Sequence, residues 1–272
     1  MAATRGRDIV VVAASAGGVE ALRGLLSQFP VPVPATMLVV LHVPAAGGKV
    51  LPRILGRAGL MPASAAADGE APLPGHVYVA PPDCHVLLVG DKIRLSQGPR
   101  YNGHRPAADP LFISAALSGG PHTIAVVLSG TLDDGAAGAA AVERRGGVVA
   151  IQDPGESAYD GMPRAAMAAT RRAKVLRLAE LAALIDTESR HPVPEQVVPP
   201  DPELERQLSV FLEPVPRLHQ VLAQTAEDQG YPISASGFRA SALSARSSAR
   251  KIRKLLESPG GAGASDDDDG GD

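Results

Sequence analysis

Three short aliphatic runs, within Asp8 to Ala14, Ala35 to Leu41 and Thr123 to Leu128, constrain this chain more than any other feature. Each has the length of a strand and is β-branched or aliphatic almost throughout, with no alternation of polar and apolar positions. Alternation marks a sheet with one wet face, whereas a continuous apolar run marks a strand covered on both faces, as in parallel sheets. Parallel neighbours need a crossover connection. Helical spacing supplies one after the first run, where Val19, Leu22, Leu25, Leu26 and Phe29 recur at intervals of three and four. Gly135 to Arg145 reads as the crossover after the third run, and Lys49 to Arg57 and Pro110 to Leu117 as further helices. Strands are expected at His76 to Ala80 and Val148 to Gln152, and a hairpin from Val86 to Val89 and Lys92 to Leu95, turning at Gly90-Asp91. The implied class is α/β: a doubly wound, mostly parallel sheet with helices on both faces, plus a C-terminal helical extension.

With 272 residues and no tryptophan, the chain can bury one core, built of Val, Leu, Ile and Ala. The expected division is a main domain over 1–188, a Pro-rich linker over 189–202, a helical extension over 203–257 and a disordered acidic tail over 258–272. Five prolines between His191 and Pro202 argue for the linker. Leu204, Leu208, Phe211, Val215, Leu218 and Leu222 form one apolar stripe, and Phe238, Ala242, Ala245, Ala249, Ile252 and Leu256 another. The two stripes are expected to pair with each other.

A net charge of −3, with no Lys/Arg block before the C-terminal helix, gives no reason to expect a nucleic-acid partner. No apolar stretch reaches the roughly 18 to 20 residues that span a bilayer, and the N-terminus enters a short strand rather than a signal peptide's hydrophobic region. The expectation is a soluble cytoplasmic protein, not membrane-inserted. Cys84 is the single cysteine, which precludes an internal disulfide, and it reads as a packed apolar side chain. His76, His85, His104 and His122 lack metal-ligand spacing and read as surface or structural residues, so neither metal nor cofactor is expected.

Chemistry-bearing residues stand at the carboxyl end of each aliphatic run. Ser15 follows the first and opens Ser15-Ala16-Gly17-Gly18, His42 ends the second, and Asp134 follows the third. Each has a plainer reading: Ser15 and Asp134 as helix caps, His42 as a ring satisfied by the backbone, with Asp133 a competing carboxylate. The carboxyl edge of a parallel sheet is, however, where distant residues converge. A serine, a histidine and a carboxylate brought together there would form a nucleophile, its general base and the group that orients the base. The serine turn lacks the lysine and spacing of a P-loop and is not G-x-G-x-x-G, so nucleotide binding has little support.

Taken together, Val10-Val11-Val12-Ala13-Ala14-Ser15-Ala16-Gly17-Gly18-Val19-Glu20-Ala21-Leu22, Leu41-His42-Val43-Pro44 and Ser129-Gly130-Thr131-Leu132-Asp133-Asp134-Gly135-Ala136 resemble the catalytic domain of CheB-type chemotaxis-receptor methylesterases. Asp68-Gly69-Glu70, Gly75-His76-Val77-Tyr78-Val79-Ala80-Pro81, His104-Arg105-Pro106 and Gly161-Met162-Pro163-Arg164-Ala165-Ala166 extend the resemblance across roughly residues 8 to 188. It implies a serine hydrolase with Ser15 as nucleophile, His42 as general base and acid, Asp134 as orienting carboxylate and the Thr131 backbone amide in the oxyanion hole. The implied substrates are glutamate methyl esters on the cytoplasmic helices of methyl-accepting chemotaxis receptors, with methanol released and receptor glutamines as further targets for deamidation. Ala16 stands where the family usually has threonine, and Thr131-Leu132 where it has methionine-glycine. The sequence starts at the catalytic domain, so regulation is expected to come from elsewhere, with a separate regulatory protein as one source, or to be absent. Alternatives from the sequence are a serine esterase or amidase acting on another modified protein, and a non-catalytic receptor-docking adaptor.

Overall fold

A computed structural model describes residues 6–42, 50–194 and 199–212 of the chain. Its strands, in order, are β1 (Ile9–Ala14), β2 (Thr36–Leu41), β3 (Ala63–Ala65), β4 (Val77–Val79), β5 (His85–Val89), β6 (Lys92–Ser96), β7 (Thr123–Val127), β8 (Val148–Gln152) and β9 (Lys174–Leu176). Its helices are α1 (Gly18–Ser27), α2 (Leu51–Gly56), α3 (Ala108–Gly119), α4 (Ala136–Arg144), α5 (Gly161–Ala169), α6 (Leu178–Arg190) and α7 (Pro202–Leu212). Seven strands form one sheet in the order β3-β4-β2-β1-β7-β8-β9, every neighbouring pair parallel. The hairpin β5-β6 stands apart and is antiparallel.

The aliphatic runs behave as their composition requires. Along β1, Val11 and Ala13 point into one apolar layer while Val10, Val12 and Ala14 point into the other, and β2 and β7 divide in the same way. The first layer also takes in residues of α3, α4, α5, α7 and the hairpin, and the second residues of α1, α2 and α6. Helices thus cover both faces, and neither face of the central strands needs a polar residue. From β1 the chain moves to β2, on to the edge strand β3 and back to β4 between them, and later crosses to β7 on the other side of β1. That reversal opens a crevice at the carboxyl ends of β1, β2 and β7, the place where doubly wound sheets hold ligands.

Several boundaries shift from expectation. Helix α3 starts at Ala108, with Pro110 inside its first turn, where a missing N–H costs nothing. It is buried on nearly every side, so it lacks the amphipathic stripe that would have marked its full length. The three-residue strands β3 and β9 are too short to show a period. Helix α6 runs to Arg190, into the segment read as linker.

Leu204, Leu208, Phe211 and Leu212 of α7 are buried in the first apolar layer, against the main domain, where α7 packs on α3. Arg144 pairs with Asp201 at 3.0 Å, and the Arg145 guanidinium donates to the Pro199 carbonyl, fastening the approach to α7 onto α4. The second stripe, Phe238 to Leu256, and the tail after it lie outside the described residues. Among those residues no helix is long and apolar enough to cross a membrane.

If α7 is part of this core, Leu208→Ala should remove packed volume and cost about 2–5 kcal/mol in urea unfolding of the full chain. A loss within about 0.5 kcal/mol, as at an exposed site, would contradict the docking of α7.

Candidate active site

Strand β1 ends at Ala14, and Ser15 begins the turn into α1. The Ser15 amide donates to Ser129 O at 2.9 Å, tying the turn to the end of β7. Gly17 takes the left-handed conformation with φ 72°, which a residue with a side chain adopts only at a cost. A Cβ at Gly17 would also come within 2.8 Å of both the Ala158 Cβ and the Ser129 hydroxyl. Ser129 is a second fastener: its hydroxyl donates to Ala16 O at 2.8 Å and accepts from the Tyr159 amide at 3.0 Å. Its own amide donates to the buried Gln152 side chain at 2.9 Å.

His42 follows β2 directly, and its amide donates to Ala14 O at 3.2 Å, so parallel pairing of β1 and β2 puts its ring beside Ser15. His42 Nδ1 lies 3.1 Å from Ser15 Oγ, and Nε2 lies 2.6 Å from Asp134 Oδ2. The carboxylate can only accept, so Nε2–H donates to it, which leaves Nδ1 as acceptor for the serine hydroxyl. The Asp134 side chain is 1% exposed and that of His42 8%. Ser15, His42 and Asp134, the three residues proposed from sequence, are therefore brought together in one hydrogen-bonded row.

Asp134 does not cap α4, the helix that follows it; the cap position is Gly135, with φ 93°. Its carboxylate turns instead to the N-terminus of α3, where Oδ2 accepts from Ala108 N at 2.7 Å and Oδ1 from Asp109 N at 3.1 Å. Unpaired amides at a helix start favour an anion, and here they hold this carboxylate in place. Asp133, the competing carboxylate, is exposed and accepts from Asn102 Nδ2 at 3.4 Å.

Two groups near the site escaped the sequence reading, one partly buried and one buried. His104, read there as a surface or structural residue, stacks on His42 with ring centroids 3.8 Å apart and planes 4° from parallel. Burial first, then the neighbouring His42, holds the His104 pKa below its ordinary value, so a neutral ring covers His42 at pH 7. Asp109, in the first turn of α3, is 2% exposed and accepts from Gly138 N at 2.6 Å. Burial and the adjacent Asp134 push its carboxyl pKa up to about 7. Neither residue could be found by local periodicity, because each meets its partners across loops. Cys84 is half-buried beside Asp83, not packed in the core as expected.

Gly130 lets the end of β7 approach Ser15: a Cβ there would lie 2.9 Å from the Ser15 Cβ and would overlap the Met162 sulfur. Beyond it opens a cavity of about 530 Å³ lined by Thr131, Leu132, Pro154, Ser157, Ala158, Tyr159, Asp160 and Gly161. Leu132 and Tyr159 are 65% and 50% exposed at its rim. No group of three or more His, Cys, Asp or Glu side chains among the described residues is arranged to hold a metal. Chemically, the row can polarise the Ser15 hydroxyl towards nucleophilic attack on a carbonyl seated in the adjoining cleft.

Comparison with known proteins gives a consistent set of relatives. The family model described as CheB methylesterase matches residues 10–185. A protein-glutamate methylesterase/protein-glutamine glutaminase of Xanthomonas campestris is 38% identical over 162 residues, 58% of this chain and 45% of that protein. One from Myxococcus xanthus is 38% identical over 183 residues, 67% of this chain and 52% of that protein. This chain spans about half the length of the curated relatives it matches. The crystal structure of the Thermotoga maritima CheB methylesterase catalytic domain superposes with a TM-score of 0.63 at 32% identity, covering 66% of this chain and 97% of that one.

Asp109 gives the site a pH signature. Its pKa moves from 3.8 to about 7 on folding. Below both values each state keeps the proton; between them only the unfolded chain releases it, so stability falls as pH rises, by roughly 4 kcal/mol in all. Asp109→Asn keeps an acceptor for Gly138 N and removes the slope. Urea unfolding should therefore show the variant gaining on the wild type between pH 4 and pH 8, and a pH-independent difference would mean that Asp109 ionises freely in the fold.

Proposed function

The chain belongs to the CheB methylesterase family, and from that premise we propose that it hydrolyses glutamate methyl esters on methyl-accepting chemotaxis receptors. The reading is carried by the placement of His42 within 3.1 Å of the Ser15 hydroxyl and 2.6 Å of the Asp134 carboxylate. Ser15 Oγ attacks the ester carbonyl carbon while His42 Nδ1 takes the hydroxyl proton. Asp134 keeps the ring in the tautomer with Nε2 protonated and stabilises the imidazolium that forms. The negative charge on the former carbonyl oxygen is met by backbone amides at the cleft, that of Thr131 among them. His42 then returns the proton to the departing methoxide, and methanol leaves. Water, deprotonated by His42, attacks the resulting Ser15 ester and releases a glutamate carboxylate. A glutamine side chain in the same cleft would lose ammonia by the same steps.

The substrate is an ester on a helix, so the cleft must accept neighbouring side chains together with the reacting one. Leu132 and Tyr159 stand exposed at the rim and can grip an apolar neighbour. Leu132 holds φ 66°, a left-handed conformation that costs a leucine about 1 kcal/mol or more. The protein acts in the cytoplasm, where receptor helices are reached.

Methanol release from methylated receptor fragments is the deciding measurement, with Ser15→Ala abolishing it and Asp134→Asn lowering kcat by about 10²–10⁴. Release that survives Ser15→Ala would remove the assignment. Receptor binding by the wild type without any methanol would point to an adaptor, and release from other esterified proteins alone to a different esterase. Leu132→Gly should raise folding stability by about 1 kcal/mol yet raise KM for the receptor fragment several-fold at unchanged kcat. An unaltered KM would show that the rim leucine does not contact substrate.

A further inference from the structure

Between β6 and α3 the chain forms a loop, residues 97–107, that carries His104 onto the His42 ring. Tyr101 and His104 close a tight turn within it, each amide donating to the other's carbonyl, at 3.0 and 2.8 Å. The same loop delivers the start of α3, whose first amides hold Asp134. The placement of this loop therefore sets two of the contacts on which the His42–Asp134 pair depends.

Three side chains hold the loop in place. Arg105 reaches Asp83 at 2.7 Å and the carbonyls of Gln97 and Gly98 at 2.9 and 2.8 Å. His85, with none of its surface exposed, spans the loop from within: Nδ1 accepts from the Ala107 amide at 3.2 Å, and Nε2–H donates to the Pro99 carbonyl at 2.9 Å. The third is Phe211, from α7. Its ring meets Tyr101 edge-on at 5.6 Å and His85 edge-on at 5.3 Å between centroids, and it is 4% exposed. The Ser96 hydroxyl donates to the Phe211 carbonyl. A Cβ at Gly98 would lie 3.2 Å from the Phe211 Cα, so the end of α7 rests directly on the loop's backbone.

We propose that α7 is a buttress of the active site: Phe211 wedges Tyr101 and His85, and through them fixes the loop that lays His104 on His42. Phe211, Tyr101 and His85 are positioning residues, since none touches the reacting atoms. The segment that does this lies beyond residues 10–185, the stretch shared with the family model. The conformation of the C-terminal segment thereby bears on the reactivity of Ser15, and the proposal rests on the reading of Ser15 as nucleophile and His42 as its base.

Two readings on the full chain test it. One is the rate at which a fluorophosphonate labels Ser15; the other is the NMR position of the His104 and His42 ring protons, which the stacked rings shift mutually. Phe211→Ala should slow labelling about tenfold and move both sets of ring signals towards those of an exposed imidazole. Leu204→Ala, on the same helix two turns earlier, should cost similar stability and leave both readings near wild type. Should Phe211→Ala fail to fold, Phe211→Leu keeps the apolar seal, lacks the ring edge and is read in the same way. Unmoved ring signals, or unchanged labelling in a reactive protein, would overturn the buttress. A wild type that fluorophosphonate does not label at Ser15 would instead sink the hydrolase reading, and the ring signals alone would then decide the role of α7.

Discussion

The contact on which the site depends most is the one between the Asp134 carboxylate and the N-terminus of α3. One oxygen is shared between His42 Nε2–H and the Ala108 amide, and the other takes the Asp109 amide. Taking an ionised carboxylate out of water is costly unless donors replace the lost hydration. Here the helix start supplies two, and a third comes from the ring that the carboxylate must orient. The carboxylate is thus given donors by the fold and aimed by it at the same time. Asp109, the second residue of the same helix, accepts from the Gly138 amide at 2.6 Å, yet its burial and the adjacent Asp134 push its pKa up to about 7.

That arrangement follows from topology. Parallel pairing of β2, β1 and β7 brings three carboxyl ends to one edge, and the reversal of winding at β1 leaves that edge open. Ser15 and His42 sit immediately after their strands, so register alone brings them together. Asp134 comes from a longer connection, and its placement needs the capping contact with α3. The sheet therefore positions Ser15 and His42, while a helix positions Asp134.

The same division explains what was legible in the sequence. Continuous aliphatic runs announced the central strands, and the candidates were visible at or beyond their carboxyl ends: Ser15 and His42 directly after β1 and β2, and Asp134 in the connection after β7. The hairpin was marked by its turn at Gly90-Asp91, and β8 by its own apolar run. What stayed hidden depends on contacts between segments far apart in sequence. His104 meets His42 across 62 positions, and Ser129 reaches the Ala16 carbonyl across 113. Neither contact has a local period, and a histidine in a loop or a serine after a strand is ordinary composition. Helix α7 showed its apolar stripe plainly, but a stripe names a face that must be covered and not what covers it. Its described residues are buried against α3 and the hairpin, a destination that no spacing encodes.

The departures at Ala16 and Leu132 differ in what they ask of the fold. A threonine hydroxyl at position 16 would add a polar group beside the nucleophile, but the turn does not hang on that side chain. It is fixed through backbone: Ser129 Oγ–H donates to the Ala16 carbonyl, and the Ser15 amide donates to Ser129 O. Alanine can therefore stand there without loosening the serine. Leu132 is the opposite case, a bulky residue kept in a conformation suited to glycine and left exposed at the rim of the cleft. Burial does not compensate this strain, and no packing requirement explains the residue. A strained, exposed apolar side chain is maintained at a point of contact more readily than at a point of support, which places the distinctive chemistry of this chain at the mouth of its cleft and not within its catalytic row.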